Sequence, residues 1–244
     1  MSACQTMPPT WIPIPSTPRS LTSYCSSLLS PSPPLHTFHD VLSLPSDDND
    51  WSAALVHKEE GVDDGCYDAA GYILCCDVEI TRGIAPILDK HEVAHSIPPT
   101  EAHISVEQTI NNSCCLVAIL NFILPYYTEH PPSRSCALGE YINRIEGCQT
   151  ARERGAELSK CDFFHDVHSK ISLEYSTASE VDSALSCHHH YIALLPTPSC
   201  GTLIIDGREN DGKARVISER VEKVLSIVGR EGGAAFQVCR KKTG

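Results

Sequence analysis

Hydrophobic and polar positions change their spacing several times along the chain, and each change predicts an element. Tyr72–Val78 (YILCCDV) is short, nearly all apolar and rich in β-favouring residues, as a buried strand should be. Residues 114–124 (CCLVAILNFIL) form an apolar run of helical length that Pro125 is expected to stop. Leu138, Tyr141, Ile142 and Ile145 recur at helical spacing, and Gly147 supplies the stop. Thr150-x-x-Glu153 can form a capping box for the next helix. Tyr191–Leu195 and Thr202–Ile205 read as strands joined by a PTPSCG turn, which makes a hairpin. Ile217, Val221, Val224, Leu225 and Val228 mark one face of a helix, and Ala234–Cys239 is a last strand.

Polar and proline-rich stretches divide these elements. Residues 1–10 read as a loose tail, and 11–18 (WIPIPSTP) are proline-punctuated with Trp11, Ile12 and Ile14 as apolar anchors. Residues 57–70 (HKEEGVDDGCYDAA) are acidic and predict a surface insertion, and Leu173–Cys187 predicts a flexible loop. No repeat is present. The expected organisation is a single α+β domain over residues 11–239, with 240–244 as a short tail.

Composition narrows the class. The 244 residues are 41% hydrophobic, enough for a sizeable core. The formal charge of −12 and the absence of a basic stripe argue against a nucleic-acid partner. Asn121 and Pro125 interrupt the longest apolar run, which is too short and too polar to span a membrane. Thirteen cysteines are an odd number without any CxxC pair, so neither a disulfide framework nor a zinc finger is expected. The first residues lack a basic region followed by an apolar run. These features predict free thiols in a reducing compartment, the cytoplasm or also the nucleus.

Candidate chemistry concentrates at two places. The segment QTINNSC (108–114) opens the apolar helix, so the Cys114 thiol meets unpaired amide donors and the positive end of the helix dipole. Ser113 or Asn112 could serve as the cap. Gln108 offers a neutral amide that could donate to a developing oxyanion. In the hairpin, a turn centred near Pro198–Ser199 sets His190 roughly opposite Asp206, with His188 nearer Arg208 and His189 on the other face. An imidazole held by a carboxylate is how a base is oriented beside a thiol.

QTINNSC (108–114), HYIAL (190–194) and LIIDGR (203–208), in this order, resemble the ubiquitin carboxyl-terminal hydrolase family of cysteine peptidases. WIPI near the start and FHDVLSL (38–44) extend the resemblance over about residues 11–239. It implies a central, mostly antiparallel sheet flanked by helices on both sides, a papain-like arrangement of the site and a knotted chain path. It implies Cys114 as nucleophile, His190 as general base and acid, Asp206 as its orienting group and Gln108 as oxyanion donor. It also implies hydrolysis at the C-terminal glycine of ubiquitin or a ubiquitin-like protein through a thioester, with no cofactor or metal. A crossover loop at about 173–187 would restrict the leaving group to small adducts or flexible peptides. Trp11 and Ile14 would lie near bound ubiquitin, and the enzyme would act as a monomer.

Some residues depart from the family pattern. Cys115 stands where a glycine usually follows the nucleophile, Asn121 where a histidine is common, and Phe122 where a small residue is common. These departures leave open a ubiquitin-binding module without turnover. His91-Glu-Val-Ala-His95 is a literal HExxH, the spacing that sets two imidazoles on one helical face for zinc. Nearby Pro86, Pro98 and Pro99, and the lack of a third ligand, argue against a metalloprotease.

Overall fold

In the computed structural model the described residues are 11–32, 35–43, 55–57, 67–79, 104–177, 179, 188–196, 201–208, 215–217, 221, 224–225 and 233–241. They build a seven-stranded sheet from β1 (His36–Ser43), β2 (Leu55–His57), β3 (Tyr67–Asp77), β4 (His189–Pro196), β5 (Thr202–Ile205), β6 (Arg215–Ile217) and β7 (Ala234–Lys241). The strand order is β2-β1-β7-β3-β4-β5-β6, and every neighbouring pair is antiparallel. The last strand therefore lies between β1 and β3. Helices α1 (Pro18–Leu29), α2 (Cys114–Glu129), α3 (Ala137–Ile145), α4 (Ala151–Leu158) and α5 (Asp162–Tyr175) complete the described elements.

The unbroken apolar run in β3 follows from burial on both faces of the sheet. Ile73, Cys75, Tyr191, Ala193, Phe236 and Val238 pack into one core with α1 and α2. Their alternates Leu74, Cys76, Ile192, Leu194 and Ala235 pack into a second core with Val221, Val224 and Leu225. Helix α2 is buried on nearly every side through Leu124, which explains its lack of polar alternation.

Several expectations need adjustment. Pro125 does not end α2, which continues to Glu129. The ring removes one helical hydrogen bond, yet Tyr127 beyond it is 3% exposed and packs edge-on against His36 and Tyr126, so tertiary contacts hold the last turn. Leu173–Tyr175 belong to α5, while most of the predicted crossover loop lies outside the described residues. His57 lies in β2 and Tyr67–Ala70 in β3, so the acidic insertion is shorter than expected, and 58–66 lie outside the described residues. Ile217 sits in β6 rather than in the following helix. β7 runs to Lys241, and Arg240 pairs with His36, so the domain reaches past 239. The capping box of Thr150 with Glu153 forms as expected.

Candidate active site

Cys114 is the first residue of α2, and the segment before it is fastened at every step. Arg154 Nε donates to Ser105 O at 2.5 Å, and Asn121 bonds both the N–H (2.6 Å) and the carbonyl (3.3 Å) of Val106. The Glu107 amide donates to Ala151 O at 3.0 Å, and the Gln108 amide to Gly207 O at 2.8 Å. Thr109 Oγ1 donates to Gly155 O at 2.8 Å. Such convergence on a short non-helical stretch fixes where the helix begins.

The start itself is unusual. Asn112 takes a left-handed φ of 61°, a region that asparagine tolerates better than most residues, and its Nδ2 donates to Trp11 O at 2.9 Å. Ser113 occupies the cap position but makes no side-chain cap hydrogen bond, and its hydroxyl donates to Ile110 O at 2.8 Å instead. The Ser113 side chain therefore does not cap the first-turn amides. First-turn amides at a helix start can donate to an oxyanion beside the thiol.

The hairpin brings the base. β4 and β5 pair with Ala193 opposite Ile205 and Pro196 opposite Thr202, which centres the connection at Ser199. That is later than the sequence suggested. Continued outward, the register sets His190 opposite Arg208, and Asp206 is its diagonal neighbour rather than its direct one. Diagonal positions are still within reach of long side chains. His190 Nε2 lies 2.6 Å from Asp206 Oδ1. A carboxylate accepts, so Nε2 carries a proton, and in the neutral ring Nδ1 presents a lone pair. Asp206 Oδ1 also accepts from the Arg208 amide at 2.8 Å, which steadies the carboxylate.

Both partners are nearly buried, His190 at 1% and Asp206 at 6% exposure. Burial pulls the His190 pKa down, but the bond from Asp206 and the nearby Cys114 thiol outweigh it and carry the value up to about 9. Nδ1 is buried and has no hydrogen-bond partner, although Cys114 is close enough to act on the ring. Long approaches of this kind are usual before substrate binds. The chemistry on offer is a thiol at a helix start, an imidazole base and its orienting carboxylate.

A family model for ubiquitin carboxyl-terminal hydrolase, family 1, matches residues 11–226. The chain belongs to that family. Its members are cysteine-type ubiquitin C-terminal hydrolases, and this chain is an enzyme of that class. Among solved structures it is similar to the Trichinella spiralis UCH37 catalytic domain bound to ubiquitin vinyl methyl ester, at 14% identity and a TM-score of 0.61. That alignment covers 95% of this chain and 96% of the other and supports the shared fold. No curated protein matches the chain.

The departures from the hydrolase family pattern each have a local account. Cys115 is 1% exposed, and burial pushes its thiol well above the ordinary value, so it behaves as a core residue. Asn121 is fully buried and clamps Val106 as a strand partner would. Phe122 is matched by Gly71, where φ is +150° and a Cβ would stand 2.8 Å from the Phe122 ring. A β-bulge between Ala69 and Gly71 makes that room.

Gln108 sits beside Gly207 with its carboxamide held at both ends. Nε2 donates to Ile110 O at 3.1 Å, and Oε1 accepts from Arg208 Nε at 3.1 Å. The second N–H of Nε2 is not used by either bond. Trp11 and Ile14 are 4% and 3% exposed, so they anchor the N-terminal segment in the core rather than present it outward. The partners are His168, whose ring centroid is 4.3 Å from Trp11, and Tyr191, whose hydroxyl donates to Ile14 O at 3.0 Å.

Sequence reasoning missed Gly207, where a Cβ would stand 2.5 Å from Val117 Cγ1 of α2. The DGR tripeptide was a signal for a close backbone approach. It also missed the roles of Asn121 and Arg154, whose partners Val106 and Ser105 lie 15 and 49 residues away. His91 and His95 lie outside the described residues, among which no three His, Cys, Asp or Glu side chains gather as a metal site.

Proposed function

We propose that this hydrolase cleaves small adducts or flexible peptides from the C-terminal glycine of ubiquitin, with Cys114 as the nucleophile. The Cys114 thiol loses its proton to His190 Nδ1, and the sulfur attacks the glycine carbonyl carbon. The carbonyl becomes an oxyanion that the Cys114 amide and the remaining Gln108 N–H can hold. His190 returns the proton to the leaving group, and a thioester remains. Water then attacks with His190 as base, which releases ubiquitin and the free thiol. The single observation that carries this reading is the buried His190–Asp206 pair, with Nδ1 unengaged beside Cys114.

The acidic balance of the chain suits the basic C-terminal tail of ubiquitin. Nine cysteines among the described residues are unpaired, which fits a reducing compartment such as the cytoplasm or nucleus. No helix among the described residues is long and apolar enough to cross a membrane. In this reading the enzyme works as a monomer, and Trp11 and Ile14 contribute by holding the N-terminal segment in place. A fluorogenic amide of ubiquitin tests the proposal. Turnover by the wild type and none by Cys114→Ala is expected, and hydrolysis that persists in Cys114→Ala overturns it.

A further inference from the structure

A groove of about 550 Å³ opens beside α3 and shares no lining residue with the catalytic group. Its walls include Ile104, Pro132, Ile142 and Ile145, and Arg154 is also on its lining. Arg154 is 9% exposed, yet it forms no ion pair with any carboxylate among the described residues. Nε donates to Ser105 O, and Nη1 donates to Cys148 O at 3.1 Å. A guanidinium carries five N–H donors, so these two bonds leave Nη2 without a protein acceptor. Nη2 therefore keeps both of its N–H donors on a residue that lines the groove. Two carbonyls hold the guanidinium in place, and the donors they leave are ones that an anion entering the groove could meet.

The geometry points to a subsite for a peptide that presents a carboxylate next to an aliphatic side chain, and we propose this as a second binding site of the enzyme. The guanidinium fork matches a carboxylate, and the isoleucine and proline walls match an aliphatic neighbour. Arg134, exposed at the groove, adds a second positive charge. Glu146, also on the lining, opposes a dianion and so favours a singly charged carboxylate over a phosphate. The site is coupled to the catalytic segment, because Arg154 also holds Ser105.

The test uses N-acetyl-Gly-Leu-Leu with a free carboxylate, its carboxamide, acetate and inorganic phosphate, titrated into the methyl-labelled whole protein and followed by NMR. The acid should move the methyls of Ile104, Ile142 and Ile145 and bind about tenfold more tightly than the amide, as loss of a charge-assisted bond implies. Asn143→Glu, on the exposed rim, should weaken the acid and leave the amide unchanged. Arg154→Met should abolish the difference between acid and amide, and if it does not fold, Asn143→Glu carries the test. Equal binding of acid and amide, an unchanged affinity in Asn143→Glu, or no shifts at millimolar peptide would overturn the proposal. A larger response to phosphate than to acetate would overturn the carboxylate assignment.

Discussion

Two histidines of this hydrolase are equally buried and behave in opposite ways. His190 and His168 are each 1% exposed, and burial lowers the pKa of both. His168, on α5, donates through Nε2 to Ile12 O at 2.7 Å, so its Nδ1 accepts from the Tyr24 hydroxyl at 2.8 Å. Neither partner is charged. Burial dominates there, the Ile12 carbonyl only partly counters it, His165 adds to the lowering, and the value falls to about 4. At His190 the partner is the Asp206 carboxylate, and the value rises to about 9. A formal negative charge at hydrogen-bond distance therefore separates a structural ring from one able to hold a proton during catalysis.

The largest effect should come from the thiol that His190 serves. Cys114→Ala is expected to abolish turnover while ubiquitin binding survives. Cys115→Ala, in the adjacent but buried position, should retain most activity. Single-turnover rates and a binding titration on both variants check this, and an essential Cys115 with a dispensable Cys114 would reverse the assignment. Next comes Asp206→Asn, which gives His190 a neutral partner like those of His168. We expect kcat to fall about tenfold to a hundredfold with affinity nearly unchanged, less than the ~10⁴ of a serine triad because a thiol ionises more easily. Asp166→Asn, at an exposed carboxylate, is the control. Equal rates for the two variants would remove Asp206 from the mechanism.

A smaller effect is expected where the catalytic segment is only supported. Asn121→Leu leaves the Val106 N–H and carbonyl buried without partners, at a cost of about 2–4 kcal/mol for the two groups. Urea midpoints should fall accordingly, and kcat should drop several-fold as Gln108 and Cys114 lose their fixed positions. A stability change well under 1 kcal/mol would show that Val106 finds another partner.

The two histidines also differ in how readily the sequence discloses them. His190, Asp206 and Cys114 lie in short contiguous motifs, where local spacing and strand parity carry most of the information. Even so, parity alone misjudged the register, because the pairing centres at Ser199 and the geometry of the connection decides it. His168 and its partners Trp11, Ile12 and Tyr24 are separated by more than a hundred residues and share no local pattern. Asn121 with Val106 and Arg154 with Ser105 are closer, at 15 and 49 residues, but there too a polar residue finds its role only after packing. The continuation of α2 past Pro125 was hidden for a related reason, since tertiary contacts outweighed a sound local rule.

The smallest effect is a pH dependence of stability in which the two rings act at opposite ends. The folded-state value of His168, about 4, lies below the ordinary 6.5, so the fold binds the neutral ring more tightly than the charged one. Its contribution is complete above pH 6.5 and is lost as the pH falls from there toward 4, because the unfolded chain takes up a proton that the folded chain refuses. At pH 5 the loss amounts to about 2 kcal/mol. His36, also lowered to about 4, acts in the same direction. His190 has the reverse sign, since its contribution is complete below pH 6.5 and lost as the pH rises toward 9. Glutamine can keep an amide donor and an acceptor near Ile12 and Tyr24 but cannot titrate, so His168→Gln should reduce the stability difference between pH 7 and pH 5 and leave that between pH 7 and pH 9 unchanged. Urea unfolding of wild type and variant at the three pH values measures both differences. If the acid-side difference is the same in His168→Gln as in wild type, the protonation of His168 is not linked to folding, and the contrast between the two rings must have another origin.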